Sequence, residues 1–216
     1  MQNYLDCKNN NIDYKVLKEP AEIIKKGGIV VFPTETVYGI GCNGLNEEAV
    51  EQLYNIKKRP LNKPISLLVN DINMVNNVAK DITKLEYDIM NHFFSGPLTI
   101  ILKKKDIVPN ILTANSDTVG VRMPDCTITR KLIEYAGVPI AAPSANISGK
   151  PSGTNFADVV KDFNGKADFF IDGGQSQIGK ASTIVQIIDG IPHILREGLI
   201  TKEQIIEVCN LYKLDI

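Results

Sequence analysis

Tryptophan is absent and histidine occurs only twice, as His92 and His193. A histidine-based metal site or a Ser-His-Asp triad would have to draw on one of these, and neither has a suggestive neighbour. The four cysteines, Cys7, Cys42, Cys126 and Cys209, lie far apart and form no C-x-x-C pair, which argues against a zinc ribbon and a dithiol redox motif. No window approaches the roughly 20 apolar residues of a membrane span, and the polar stretch from Met1 to Asn11 has no signal-peptide core. A cytoplasmic protein with free thiols is expected. Charge of one sign is missing as well: 24 Lys and Arg stand against 25 Asp and Glu, a net charge of −1. Proteins that grip a nucleic-acid backbone over many contacts usually carry a basic surplus, and aromatics for base stacking make up only 6% of the chain. Any anion site must therefore be a local cluster.

What is present fits one globular domain over 1–216. Hydrophobic residues make up 44% and charged residues 23% of the 216, ordinary values for a folded soluble chain, and a chain this long buries a core without staples. No repeat, low-complexity segment or linker is visible. Pro20 and Gly27 frame a helix over Glu22 to Lys26. Ile29 to Phe32 is a compact apolar run and so a buried strand. Asn46 caps a helix to about Lys57, whose Ala49, Val50, Leu53 and Ile56 share a face. Strands are expected at Ile65 to Val69, Leu98 to Leu102, Thr118 to Arg122, Pro139 to Ala142, Ala167 to Ile171, Thr183 to Ile188 and His193 to Leu195. Helices are expected from Thr127 to Tyr135 and from Asn155 to Phe163. Capping boxes at Thr83/Glu86 and Thr201/Gln204 open two more, the last running to about Leu211 with a frayed end beyond. Some adjacent strands lack a helix between them, so a mixed α/β sheet fits better than a strictly parallel one.

Four loop segments follow or flank these strands and carry groups suited to chemistry. Pro33 to Gly41 brings the hydroxyls of Thr34, Thr36 and Tyr38 to a strand end, where α/β folds place ligands; a plain strand–turn–strand reads equally well. Lys57-Lys58-Arg59-Pro60-Leu61-Asn62-Lys63-Pro64 packs four cations into seven residues, stiffened by proline and suited to a triphosphate. A helix C-terminus favours Lys57 and Lys58 regardless, though it accounts less well for Lys63. Arg122 ends the strand of Thr118-Val119-Gly120-Val121-Arg122, either as a forked clamp for a carboxylate or as half of a structural ion pair. Ala141 to Gly153 is rich in small and hydroxyl side chains that let a ligand approach the backbone and donate to its oxygens. By contrast, Gly174 to Ala181 only mimics a P-loop. Ala181 stands where the magnesium-binding Ser or Thr belongs, and the β-branched run after it cannot open the required helix.

In order and spacing, FPTETVYGIG (Phe32 to Gly41), the K-x-R of Lys57 and Arg59 leading into RPLNKP, TVGVRMP (Thr118 to Pro124) and PSANISGKPS (Pro143 to Ser152) resemble the YrdC-like family of threonylcarbamoyl-AMP synthases. The likeness runs over roughly Ala21 to Gly198. It implies a twisted mixed α/β sheet with flanking helices around a deep basic cavity. It implies that L-threonine, bicarbonate or CO2, and ATP give threonylcarbamoyl-AMP and pyrophosphate, for N6-threonylcarbamoyladenosine in tRNA. Carried over by position, Thr36, Arg122 and Ser182 would hold threonine, with Ala142 lending backbone. Arg59, Lys63, Thr118, Ser144, Ser152 and Arg196 would hold ATP, with Lys57 and Asn146 completing the K-x-R and S-x-N pairs. Lys57, Arg59, Lys63 and Arg122 are the expected catalytic groups. No protein metal ligand is implied, and Mg2+ would come with ATP. Partners would be these small molecules and a downstream tRNA threonylcarbamoyl transferase complex, with at most weak contact to tRNA and none to a membrane. The loop from Lys150 to Asn155 is a candidate lid.

The chain departs from the family pattern in two ways. Leu68 stands where some relatives have His, so any contact there is apolar. Some relatives also carry a second C-terminal domain, which is not expected here. Two other readings stay open: a nucleotide- or RNA-binding module without turnover, and an enzyme forming a carbamoyl adenylate.

Overall fold

The computed structural model describes residues 3–8, 12–176 and 178–213; of the frayed end expected over Lys213 to Ile216, residues 214–216 lie outside them, while Lys213 closes the last helix. The elements in chain order are β1 (Tyr4–Asp6), a 3-10 turn (Tyr14–Leu17), α1 (Lys18–Lys25), β2 (Val30–Phe32), β3 (Gly39–Asn43), α2 (Glu47–Lys57), β4 (Leu67–Leu68), α3 (Ile72–Val78), α4 (Lys84–Phe93), β5 (Leu98–Lys103), β6 (Thr118–Arg122), α5 (Thr127–Ala136), β7 (Ile140–Ala141), α6 (Phe156–Phe163), β8 (Phe169–Asp172), β9 (Thr183–Ile188), β10 (Ile191–Arg196) and α7 (Lys202–Lys213). The strands form one ten-stranded sheet in the order β1-β8-β2-β3-β7-β4-β6-β5-β9-β10. The β1/β8, β2/β8, β4/β6 and β5/β9 pairs are parallel and the rest antiparallel, so the sheet is mixed as expected.

Alternation along the strands splits the core in two. Ile29 and Val31 join α2, α4 and α7 on one face, while Val30 and Phe32 join α1 and α5 on the other. β8 divides likewise, with Phe170 on the first face and Phe169 and Ile171 on the second. Burial on both faces is why these strands read as continuous apolar runs rather than as alternating patterns.

Local code explains most of the helix starts. Asn46 Oδ1 accepts from Ala49 N at 3.1 Å, satisfying an orphan donor of α2. Thr83 and Glu86 form a complete capping box, with Glu86 Oε2 accepting from Thr83 N at 2.7 Å and Thr83 Oγ1 from Glu86 N at 3.2 Å. Thr83→Ala is expected to cost about 1 kcal/mol, read as a lower denaturant midpoint with an unchanged slope. Thr201 and Gln204 repeat the arrangement before α7.

The first helix starts earlier than its residues suggest, at Lys18, because the 3-10 turn feeds into it. Pro20 then sits in the opening turn, where its missing N–H costs nothing. β4 and β7 each shorten to two residues. The sequence signals did not separate out β1, α3 and β3. For α3 the readable cue was Asp71, whose carboxylate accepts from Met74 N at 2.8 Å, but three asparagines in a seven-residue helix mask its periodicity.

Candidate functional site

A cavity of about 210 Å³ opens where the β2–β3 loop, the end of β6, the segment after β7 and the starts of β5 and β9 converge. Arg59, Arg122 and Arg196 all stand in its wall, and no Asp or Glu among the described residues does. Hydroxyls of Thr36, Ser66, Thr99, Ser144, Ser152 and Ser182 fill in between, with Leu68 as an apolar patch. Three guanidiniums without a carboxylate in the wall make an anion site. Arg196 is held below its ordinary pKa first by burial, then by the positive charges of Arg122 and Arg59. That repulsion is relieved when an anion enters.

Arg122 is half of a structural ion pair, one of the two roles its position allowed. It is buried, and its Nη2 donates to Glu35 Oε1 at 2.5 Å and to Thr36 Oγ1 at 2.9 Å, while Nε donates to Gly96 O at 3.2 Å. Nη1 makes no hydrogen bond to the described residues and remains for a ligand. Proton directions follow from the network. Thr34 Oγ1 donates to Val37 O at 2.7 Å, so the 2.9 Å contact between Thr34 and Thr36 takes its proton from Thr36. Thr36 therefore meets a ligand only as an acceptor. Glu35 Oε2 is buried with no partner among the described residues.

On the opposite side Arg196 is fixed by Ser182, through Nε to the carbonyl at 3.0 Å and Nη2 to the hydroxyl at 3.1 Å. Ser182 Oγ also meets Thr99 Oγ1 at 2.9 Å. The backbone reaches this point only because residue 198 is glycine. A Cβ there would lie 2.3 Å from Ala181 O and 2.5 Å from Thr183 N.

The C-terminus of α2 sends its two basic side chains in different directions. Lys58 takes a left-handed conformation (φ 51°) and caps the helix, with Arg59 N bonding back to Tyr54 O at 2.9 Å. This turn swings Arg59 toward the cavity, where Nε and Nη2 hold the carbonyls of Lys63 and Pro64 at 3.0 and 2.8 Å. Burial keeps the Arg59 pKa below its ordinary value. Lys57 points the other way. It is 1% exposed, and Nζ donates to the carbonyls of Ser144 and Asn146, each at 2.5 Å. Burial and then the charge of Arg59 pull its pKa down to about 7, with Asp162 opposing.

Of the residues singled out from sequence, Thr36, Arg59, Arg122, Ala142, Ser144, Ser152, Ser182 and Arg196 line the cavity. Lys57, Lys63, Thr118 and Asn146 do not. The expectation that Lys57 presents its charge to a ligand is corrected by its burial behind the Ser144 turn. Lys63 is exposed beside Pro64. Thr118 lies at the far end of β6, bonded to Ser116 Oγ at 2.9 Å. Asn146 sits behind the wall, its Nδ2 donating to the carbonyls of Ile147 and Lys150. Its Oδ1 accepts the Ser144 hydroxyl at 2.5 Å, so Ser144 faces the cavity as an acceptor rather than as the donor its residue type suggested. Ala142 has its N–H taken by Ser66 O at 3.1 Å.

Thr99, Ser66 and Glu35 escaped the sequence reading. Thr99 and Ser66 lie in or beside apolar strands and look like strand filler; Glu35 lay inside a recognised motif as an unmarked letter. The 150–155 loop is tied down by Tyr38 N to Gly153 O at 3.0 Å and Ser176 N to Thr154 O at 2.8 Å, with Ser152 at the cavity wall. The false P-loop runs straight into β9 with no helix after it. No group of three or more His, Cys, Asp or Glu that could hold a metal ion occurs among the described residues. None of their helices is long and apolar enough to cross a membrane.

Comparison with known proteins gives a concordant result. The Sua5/YciO/YrdC family model, described as "Telomere recombination", matches residues 22–198. The threonylcarbamoyl-AMP synthase of Pyrococcus abyssi is 44% identical over 87% of this chain and 55% of its own length. That of Bacillus subtilis is 41% identical over 88% of this chain and 55% of its own. The crystal structure of P. abyssi Sua5 complexed with L-threonine superposes with a TM-score of 0.92 at 40% identity, covering 95% of this chain and 60% of that one. The chain thus spans about half the length of the curated relatives it matches.

Proposed function

Because the chain belongs to the Sua5/YciO/YrdC family, we propose that it makes L-threonylcarbamoyl-AMP and pyrophosphate from L-threonine, bicarbonate or CO2, and ATP. The observation that carries this reading is a cavity ringed by three arginines with no carboxylate in its wall. It suits two anionic substrates brought together. The names of the relatives and the threonine bound to P. abyssi Sua5 support the choice of substrates.

The residues divide the work. The free Nη1 of Arg122 faces the threonine carboxylate. Thr36, left as an acceptor, takes an N–H or O–H of the amino acid. Arg59 and Arg196 neutralise the phosphates, Ser152 donates to their oxygens, and Ser144 accepts from a ribose hydroxyl. In the reaction the threonine amine takes up CO2 and releases a proton to give a carbamate. One carbamate oxygen attacks the α-phosphorus; that O–P bond forms as the bond to the α,β-bridging oxygen breaks, and pyrophosphate leaves. Transfers of this kind need alignment and neutralised charge more than covalent help. The wall offers hydroxyls and guanidiniums but no carboxylate, so Mg2+ would enter with the nucleotide, held by phosphates and water. The product would pass to a separate tRNA threonylcarbamoyl transferase complex, and the chain would work in the cytoplasm with the tRNA it serves.

The test is pyrophosphate release from ATP and bicarbonate with and without L-threonine. Threonine-dependent release supports the reading; ATP binding without it points to a nucleotide-binding module. Within the same assay, Arg59→Ala is expected to raise the KM for ATP about tenfold or more, the loss of hydrogen bonds to a charged group. Lys63→Ala, removing an exposed cation, is expected to cost less. Equal losses in the two variants would show that Arg59 has no special place in the wall.

A further inference from the structure

We propose that Lys57 is a positioning residue for the nucleotide: it acts through the Ser144–Asn146 turn and does not touch the phosphates. This inference rests on the proposed use of ATP.

Three observations carry it. First, the ammonium is behind the cavity wall, and its two short hydrogen bonds reach carbonyls on either side of Ala145. Second, the helix end grips the same loop again through its backbone, where Ser148 N donates to Lys57 O at 3.0 Å. Third, the turn so held contains the relay that orients Ser144. Asn146 Nδ2 is spent on the carbonyls of Ile147 and Lys150, which fixes Oδ1 toward Ser144 Oγ. Lys57 thus sets the backbone, Asn146 sets the hydroxyl, and only Ser144 reaches the cavity.

The surroundings leave Nζ to the two carbonyls. The charged groups around Lys57 are Arg59, just past the end of its helix, and, from α6, Asp162, which is already engaged by Lys150 Nζ at 2.8 Å. The Phe163 ring lies 5.8 Å from Nζ. No carboxylate pairs directly with the ammonium among the described residues, so the two carbonyls are what offsets its burial. The same helix end holds the other phosphate-side loop through Arg59. The K-x-R spacing therefore gives one residue to each loop, with the left-handed Lys58 between them turning the chain.

The experiment is a double-mutant cycle on ATP binding, measured by calorimetry without threonine, for wild type, Lys57→Met, Ser144→Ala and the double variant. Lys57→Met is expected to weaken ATP about tenfold, Ser144→Ala about fivefold. The double variant is expected to fall within about twofold of the weaker-binding single, because both changes remove one contact. L-threonine binding, on the Arg122 side, should move less than about twofold in each variant. Additive losses, about fiftyfold in the double variant, would mean that Lys57 meets the nucleotide independently, and the proposal would fall. Unchanged ATP affinity in Lys57→Met would also overturn it. If Lys57→Met does not fold, Lys57→Gln, which keeps N–H donors and loses the charge, takes its place in the cycle under the same criteria. A wild type that binds ATP but releases no threonine-dependent pyrophosphate defeats the enzymatic reading while leaving the cycle decisive; one that does not bind ATP overturns both.

Discussion

Arg122→Ala is expected to lower kcat/KM for L-threonine by about 100-fold or more and to destabilise the fold by about 3–5 kcal/mol. The two effects have one origin. Arg122 and Glu35 form a buried pair at 2.5 Å, and Glu35 Oε2 already lacks a partner among the described residues. Removing the guanidinium leaves the buried Glu35 carboxylate without its counter-charge. Stability and activity are separated by Arg122→Lys, which keeps a charge beside Glu35 but has no second nitrogen to take the place of Nη1. Lysine is expected to restore most of the melting temperature while leaving the KM for threonine raised about tenfold. If Arg122→Lys instead recovers the full KM, a point charge suffices and the contact of Nη1 with the threonine carboxylate is not made. If Arg122→Ala melts as the wild type does, the pair with Glu35 contributes no net stability.

Gly198→Ala, a change of one methyl group, is expected to lower the melting temperature by about 5–10 °C and to raise the KM for threonine. The new Cβ would lie 2.3 Å from Ala181 O, 2.5 Å from Thr183 N and 2.6 Å from Ser182 C. All three are backbone atoms, so no rotamer change relieves the clash. The strand start must move, and it is held by Thr183 N to Pro97 O at 2.9 Å, by Gly198 N to Thr183 Oγ1 at 2.8 Å and by Thr183 Oγ1 to Ile200 O at 2.6 Å. Ser182 moves with it and takes Arg196 along, since both hydrogen bonds from that guanidinium end on Ser182. A distant overpacking would lower stability alone. A normal melting temperature together with a normal KM would show that the β9 start yields freely and that Ser182 is not held by Gly198.

The comparison of sequence with structure turns on range. Asn46 and the Thr83/Glu86 box were readable because a cap acts over three residues and its partners lie in the same short stretch. Ile29 to Phe32 was readable because burial on both faces leaves a continuous apolar run. The Arg122 ambiguity, clamp or ion pair, was not resolvable locally, since Glu35 is 87 positions away in the chain. Thr99 was invisible for the same reason: its partner Ser182 is 83 positions away. Lys57 and Arg59 looked equivalent as letters, and only the left-handed turn at Lys58 sends one behind the wall and the other into it.

The sequence by itself determined the mixed α/β architecture, the main caps and strands, and the segments that supply the cavity, because periodicity, capping and turn chemistry act between near neighbours. Tertiary structure alone decided which polar atoms remain free. Arg122 keeps Nη1, Thr36 and Ser144 keep lone pairs while their O–H groups donate to neighbours, and Lys57 is spent on two carbonyls. Those outcomes depend on burial and on hydrogen bonds between residues far apart in the chain, and a donor already satisfied inside the protein has nothing left to offer a ligand.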